Sequence, residues 1–228
     1  MSRFLFVFLF ALAATAATAQ PRLNAALKHE LDSIYVLDQH YRELISAAST
    51  PRGADSVARQ LSKTGPELSN YLISKMLVTD SSNMRYVARI IRQHGYPGKA
   101  LVGTPANEAA FYVIQHSNSI PRYLPLVKQA AETGELPFRL YAMMLDRQLM
   151  YEGKEQIYGT QGRFFTVPNP TTGQPQSVKV IWPIKDAAGV NARRRKAGFD
   201  QTVEENAQRL GIPYRPLTLA EVNKMQNQ

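Results

Sequence analysis

A long stretch of helical periodicity near the amino terminus constrains the fold more than any other feature of the chain. Between residues 23 and 48, the positions that one helix face would bury recur at intervals of 4, 3, 4, 3 and 4. These positions are Leu27, Leu31, Ile34, Asp38, Tyr41 and Ile45. Because a β-strand would need a period of two, the pattern predicts an amphipathic α-helix. One of its buried positions is a carboxylate, which is costly to bury unless it is paired or hydrogen-bonded.

Similar patterns, separated by Gly and Pro residues, predict helices along most of the chain. The expected helices are 55–78 with an interruption near Gly65-Pro66, 81–94, 104–116, 120–133, 136–152, 190–197 and 203–210. Thr104 is expected to cap the helix at 104–116, with Pro105 at its first position.

The pattern changes in the C-terminal half of the chain. Residues 164–167 and 178–182 are β-type runs, and the connector between them is rich in Pro, Thr and Gly. They are predicted to pair as a hairpin with a long loop. The expected fold class is therefore mainly α, a single helical domain over residues 20–228 with a small β-hairpin inserted in its C-terminal half.

Residues 1–19 have the organisation of a secretory signal peptide. Arg3 gives a positive start, residues 4–14 are an unbroken apolar run, and Ala17-Thr18-Ala19 forms a small-residue cleavage site. The apolar run is shorter than the roughly 20 residues that cross a bilayer. The protein is therefore expected to be exported, periplasmic or secreted, without stable membrane insertion after the signal is removed. An uncleaved amino-terminal anchor is the alternative.

Composition excludes several classes of function. The chain has no cysteine, which excludes disulfide scaffolds, thiol enzymes and iron–sulfur proteins. Its net charge is +9, but the one basic run, Arg193-Arg194-Arg195-Lys196, lacks the interleaved aromatic residues of a nucleic-acid surface. The four histidines have no metal-ligand spacing. No nucleic-acid partner, no metal and no cofactor are therefore expected.

The candidate chemistry lies in polar residues on apolar helix faces. Asp38 and Arg42 are four residues apart, so Asp38 could form a helical ion pair, or it could line a pocket. Asp146 and Arg147 lie among methionines and other apolar residues, and as helix neighbours they should face different partners. His116 could be a general base oriented by a carboxylate, a core histidine, or a partner of the helix C-terminus.

A polar loop at residues 156–161 follows the helix that contains Asp146. Gln156, Tyr158 and Gln161 could bind a ligand there, since side-chain amides recognise peptides and sugars through paired donors and acceptors. Alternatively, Gly159 makes a turn and the glutamines satisfy backbone groups. The sequence does not distinguish between ligand binding and this structural role.

Taken together, these residues resemble the motifs of a bacterial family of uncharacterised domains that is often found in secreted proteins. The motifs, in chain order, are Asp38-Gln39 with Arg42, Asp80 with Asn83, His94-Gly95-Tyr96-Pro97, Gln115-His116-Ser117, Asp146-Arg147, Tyr158-Gly159-Thr160-Gln161 and Arg193-Arg194. The resemblance extends over about residues 23–199. Asn191 departs from it, because an acidic residue is commoner before the arginines. The resemblance implies that the polar residues form one constellation, and it implies no reaction.

Two hypotheses of different classes follow. The first is a binding or structural module with a buried Asp/Arg network and a polar small molecule, glycan or peptide as its partner. The second is a cell-envelope hydrolase, acting on a glycan or a peptide, with His116, Asp146 or Asp38 as acid/base. The expected binding residues are Gln39, Arg42, Gln115, Arg147, Gln156, Tyr158, Gln161 and Arg194. The enzyme hypothesis requires Asp38, His116, Asp146 and Gln161 to meet in one open cleft.

Overall fold

The computed structural model describes residues 23–227, so the predicted signal peptide lies outside the described residues. Within this range the chain forms ten α-helices and one antiparallel two-stranded hairpin in its C-terminal half, which confirms the predicted fold class. The elements are α1 (Ala25–Ala47), α2 (Pro51–Leu61), α3 (Gly65–His94), α4 (Lys99–Val102), α5 (Ala109–Gln115), α6 (Ile120–Glu132), α7 (Phe138–Tyr151), β1 (Gly162–Pro168), β2 (Pro175–Ile181), α8 (Val190–Lys196), α9 (Val203–Arg209) and α10 (Leu219–Gln226).

Helix α1 buries the face that its periodicity predicts. The side chain of Asn24 caps the helix by accepting a 3.0 Å hydrogen bond from the backbone N–H of Leu27. The residues of α1 that become buried are Leu27, Leu31, Ile34 and Asp38. The carboxylate of Asp38 therefore lies on the core side of the helix, as the sequence indicates.

Two predicted helix boundaries are wrong. The expected interruption between residues 78 and 81 is absent, since α3 runs continuously from Gly65 to His94, and Asp80 within it is bound by Arg42 of α1. Thr104 does not cap a helix. Residues 106–108 form a 3₁₀ turn instead, and α5 begins at Ala109.

The main hydrophobic core lies between α1, α3, α4, α5, α6 and α7, and it includes the buried side chains of Leu31, Phe111 and Met144. The C-terminal half has two smaller cores. One packs the hairpin and Trp182 against α10, and the other joins the end of β2 to α8 and α9. Among residues 23–227, no helix combines the length and the apolar character needed to cross a membrane. The single-domain organisation stays a prediction.

Candidate functional site

A histidine and an aspartate that are distant in sequence meet beside α5. Nδ1 of His116, the residue that ends α5, lies 3.1 Å and 3.0 Å from the two carboxylate oxygens of Asp38 on α1. The Asp38 side chain is fully buried, whereas 17% of the His116 side chain is exposed. Because Nδ1 faces the buried carboxylate, the edge of the ring that carries Nε2 is directed away from it. The carboxylate thus fixes the orientation of the imidazole.

Arg42 joins this pair to a second carboxylate. Its Nη1 atom donates a 2.7 Å hydrogen bond to the backbone oxygen of Asp38 and lies 3.8 Å from Oδ1 of the same residue. Its two terminal nitrogens donate to both carboxylate oxygens of Asp80 on α3, at 2.9 Å and 2.8 Å. Gln39 donates a 2.7 Å hydrogen bond to Oδ2 of Asp38. The predicted contact between Asp38 and Arg42 is present, but the bidentate and stronger partner of Arg42 is Asp80.

An open cavity of about 480 Å³ adjoins His116. Its polar lining comes from α3, from the turn after α5 and from the first turn of α6. We define this His116 cavity by Asp80, Ser81, Arg85, His116, Ser119 and Arg122. The paired Asp38 and His116 therefore stand at the wall of a space that is large enough for a small ligand.

Asp146 lies in a different, closed environment. Its fully buried carboxylate accepts hydrogen bonds from the backbone N–H groups of Ile157 at 2.7 Å, Tyr158 at 3.0 Å and Thr160 at 3.0 Å, and from the Thr160 hydroxyl at 2.9 Å. Burial raises the pKa of the Asp146 carboxyl, and this effect exceeds the opposing effect of the hydrogen bonds. No arginine pairs with Asp146 in the described part of the chain, and Arg147 has a buried Nε without a hydrogen-bond partner there.

The two glutamines of the loop at residues 156–161 bind the backbone of the protein itself. Gln156 is fully buried; its amide nitrogen donates to the carbonyl oxygens of Gln161 at 3.0 Å and Trp182 at 2.7 Å, and its oxygen accepts from the N–H of Gln161 at 2.9 Å. The Gln161 amide donates to the Met143 carbonyl at 3.4 Å. Gly159 has φ +67°, and a Cβ there would lie 2.6 Å from the side chain of Val203, so only glycine fits.

Side chains from α8 and α9 bind the carbonyl groups of the same loop. Arg194 is buried and donates to the carbonyl of Tyr158 at 2.8 Å and to that of Gln201 at 2.8 Å. Its guanidinium also lies 4.5 Å from the centre of the Phe199 ring. The remaining contacts are Arg193 Nε to the Ile157 carbonyl at 3.1 Å and Asn206 to the Gly159 carbonyl at 3.0 Å. Burial lowers the pKa of Arg194.

The predicted site residues thus fall into two groups. Asp38, Gln39, Arg42 and His116 are together at the His116 cavity, whereas Asp146, Gln156, Tyr158, Gln161 and Arg194 are together around the loop at residues 156–161. Gln115 is buried with an amide oxygen that has no partner among the described residues. Of the four residues that the enzyme hypothesis requires in one cleft, only His116 lines this cavity. The structure therefore does not bring the predicted site residues together in one cleft.

Three charged residues of the His116 cavity, Asp80, Arg85 and Arg122, are missing from the predicted site. Asp80 belongs to one of the motifs of the resemblance, but its pairing with Arg42 depends on the packing of α1 against α3. Arg85 and Arg122 are exposed arginines, each on a helix, and no pattern in the sequence distinguishes them from other surface arginines. Within residues 23–227, no three His, Asp or Glu side chains are grouped closely enough to hold a metal ion.

Comparison with known proteins gives one match. The model of a family of unknown function, DUF6624, matches residues 41–214. No curated protein and no solved structure matches the chain. The matched range includes His116, Asp146 and the loop at residues 156–161, and it begins three residues after Asp38. Because the match extends over more than half of the sequence, the chain belongs to DUF6624.

Proposed function

We propose that the chain is a binding domain that holds a polar ligand in the His116 cavity. The observation that carries the proposal is the orientation of His116 by the buried carboxylate of Asp38 at the wall of an open cavity of about 480 Å³. A ring held in this way can offer Nε2 as a hydrogen-bond donor or acceptor without a further loss of conformational entropy. A small molecule, a glycan or a peptide group fits this description, and the predicted export would place the domain among such ligands.

Two residues of the second group, Asp146 and Gln156, support this choice because internal hydrogen bonds already occupy their polar atoms. Both oxygens of Asp146 are occupied by donors of the loop, and both ends of the Gln156 amide bind backbone groups. A ligand would have to displace these internal hydrogen bonds in order to bind there. We therefore assign Asp146 and Gln156 a structural role and leave them out of the proposed binding site.

A ligand screen on the full chain tests the proposed binding. A ligand that binds the folded state raises its stability by about 2.7 kcal/mol at a concentration of one hundred times Kd, which thermal denaturation detects. We expect compounds that stabilise the protein to lose this effect in His116→Gln. They should keep it in His29→Gln, a matched control at an exposed position of α1. Compounds that stabilise the wild type and His116→Gln equally would show that the binding site lies elsewhere.

A second candidate function is a narrower hydrolase hypothesis that leaves Asp146 and Gln161 out of the site, and the contact between His116 and Asp38 favours it. A carboxylate on Nδ1 is the arrangement that lets Nε2 act as a general base. In such a reaction Nε2 accepts a proton from water, the water oxygen bonds to the carbonyl carbon of a peptide, and the proton passes to the departing amine.

The hydrolase is tested with peptide substrates. We expect any hydrolysis to fall by at least about 100-fold in His116→Gln, the range over which a general base contributes. Asp38→Asn should also reduce the rate, because its amide can stabilise the wrong tautomer of the ring. His29→Gln should leave the rate unchanged. A rate that is independent of His116 would exclude this candidate.

A further inference from the structure

Two arginines line the His116 cavity and have no acidic partner. Arg85 lies on α3 and Arg122 in the first turn of α6, and both are exposed. Neither forms a salt bridge with any acidic residue in the described range. The guanidinium of Arg122 lies 5.3 Å from the centre of the Tyr123 ring, a contact that positions the side chain without neutralising its charge.

The two carboxylates near the cavity are already hydrogen-bonded to internal partners. Asp80 is bound through both oxygens by Arg42, and Asp38 is fully buried behind His116. With Arg42, the site therefore contains three arginines and two aspartates, so its net charge is positive before any charge on His116 is counted. A negative group in the cavity meets an excess of positive charge, and a positive group is repelled.

The chemistry of the free side chains narrows the class of ligand. Guanidinium groups bind carboxylates and phosphates through planar pairs of N–H donors, and the hydroxyl and amide side chains of Ser119 and Asn118 can donate further hydrogen bonds. We propose that the ligand of the His116 cavity carries an anionic group, a phosphate or a carboxylate, which is bound by Arg85 and Arg122. This inference rests on the proposed function and names the class of its ligand.

Pairs of small probes with matched shape and different charge test the inference without knowledge of the whole ligand. Inorganic phosphate is compared with trimethyl phosphate, and acetate with acetamide, by NMR titration of the backbone amides of the full chain. We expect each anion to shift the amides at 81–85, 116–120 and 122, with an affinity at least about tenfold higher than that of its neutral analogue. The comparison between phosphate and acetate identifies which anionic group is preferred.

Two double variants with the same change of net charge provide the control. Arg85→Gln with Arg122→Gln should lower the affinity for the preferred anion by about tenfold. Arg59→Gln with Arg195→Gln, at exposed positions outside the cavity, should leave it within about twofold. An equal loss in both variants would mean that only the overall charge matters, and it would overturn the inference.

The outcomes separate this inference from the proposed function. If the neutral probes shift the same amides with the same affinity as the anions, the site binds polar ligands but the anionic class is wrong. If neither kind of probe shifts these amides, the binding function fails together with the inference. Asp80→Asn adds a test in the opposite direction, because it removes a negative charge and should raise the affinity for the anion several-fold.

Discussion

Asp146→Ala is expected to lower the free energy of unfolding by about 3 kcal/mol or more, since each buried donor left without an acceptor costs about 1–3 kcal/mol. The carboxylate of Asp146 accepts from three backbone N–H groups and one hydroxyl of the loop at residues 156–161. Alanine offers no acceptor, and the carboxylate is fully buried, so we do not expect water to replace it without a structural change. Urea denaturation followed by circular dichroism measures the loss.

Two further variants show whether the loss comes from the acceptors of Asp146. Asp146→Asn keeps one acceptor oxygen but turns an NH₂ group toward the N–H donors, so it should also be strongly destabilising. Asp32→Ala removes a half-exposed carboxylate of α1 whose partner is Lys28, and it should change stability by less than about 1 kcal/mol. A loss below about 1 kcal/mol in Asp146→Ala would contradict the structural role of the residue.

Arg194→Met is expected to lower the free energy of unfolding by about 3 kcal/mol or more, because two carbonyl groups each lose a charged donor that is worth roughly 1.5–3 kcal/mol. The donors are Nε to the Gln201 carbonyl and Nη1 to the Tyr158 carbonyl, both at 2.8 Å. Methionine is chosen because it retains an unbranched apolar chain that can pack against Phe199. The measurement is again urea denaturation.

The neighbouring residue of the same helix serves as the control for Arg194→Met. Arg195 is exposed and forms no salt bridge within the described residues, so Arg195→Met should change stability by no more than about 0.5 kcal/mol. Equal effects of the two variants would show that the loss follows from the positive charge of α8 and not from the two carbonyl contacts.

Because Asp146 and Arg194 bind the same loop, their effects on stability should not add. The double variant Asp146→Ala with Arg194→Met should lower the free energy of unfolding by less than the sum of the two single losses.

The sequence was sufficient to predict which faces of the helices are buried, but not what the buried charges contact. The spacing of apolar residues in α1 places Asp38 on the core side, and the structure confirms this. Its partner His116 lies 78 residues further along the chain, so their contact depends on the packing of α1 against the end of α5. No local pattern encodes such a contact, and the sequence indicates only that His116 could be oriented by some carboxylate.

Asp146 illustrates a different limit of prediction from sequence, which concerns the kind of partner that a buried carboxylate has. Its position among apolar residues indicates a satisfied carboxylate, and an arginine is the obvious partner for a buried negative charge. The structure satisfies it mainly with the backbone N–H groups of Ile157, Tyr158 and Thr160. Every residue except proline has this group, so among the donors to Asp146 only the hydroxyl of Thr160 depends on the residue type. The interruption predicted between residues 78 and 81 is wrong for a related reason. The polar side chain of Asp80 lies inside a continuous helix, where it contacts Arg42 of another helix.

The hydrogen bonds around the loop at residues 156–161 have a consequence for substitutions in the loop itself. Asp146 and Arg194, together with Arg193 and Asn206, contact main-chain atoms of residues 157–160, which are the same whatever side chains those residues carry. The shape of the loop is therefore independent of the identity of residue 158, whose side chain is only partly buried. A substitution of Tyr158 is therefore expected to change the surface that the loop presents while the course of its backbone stays the same.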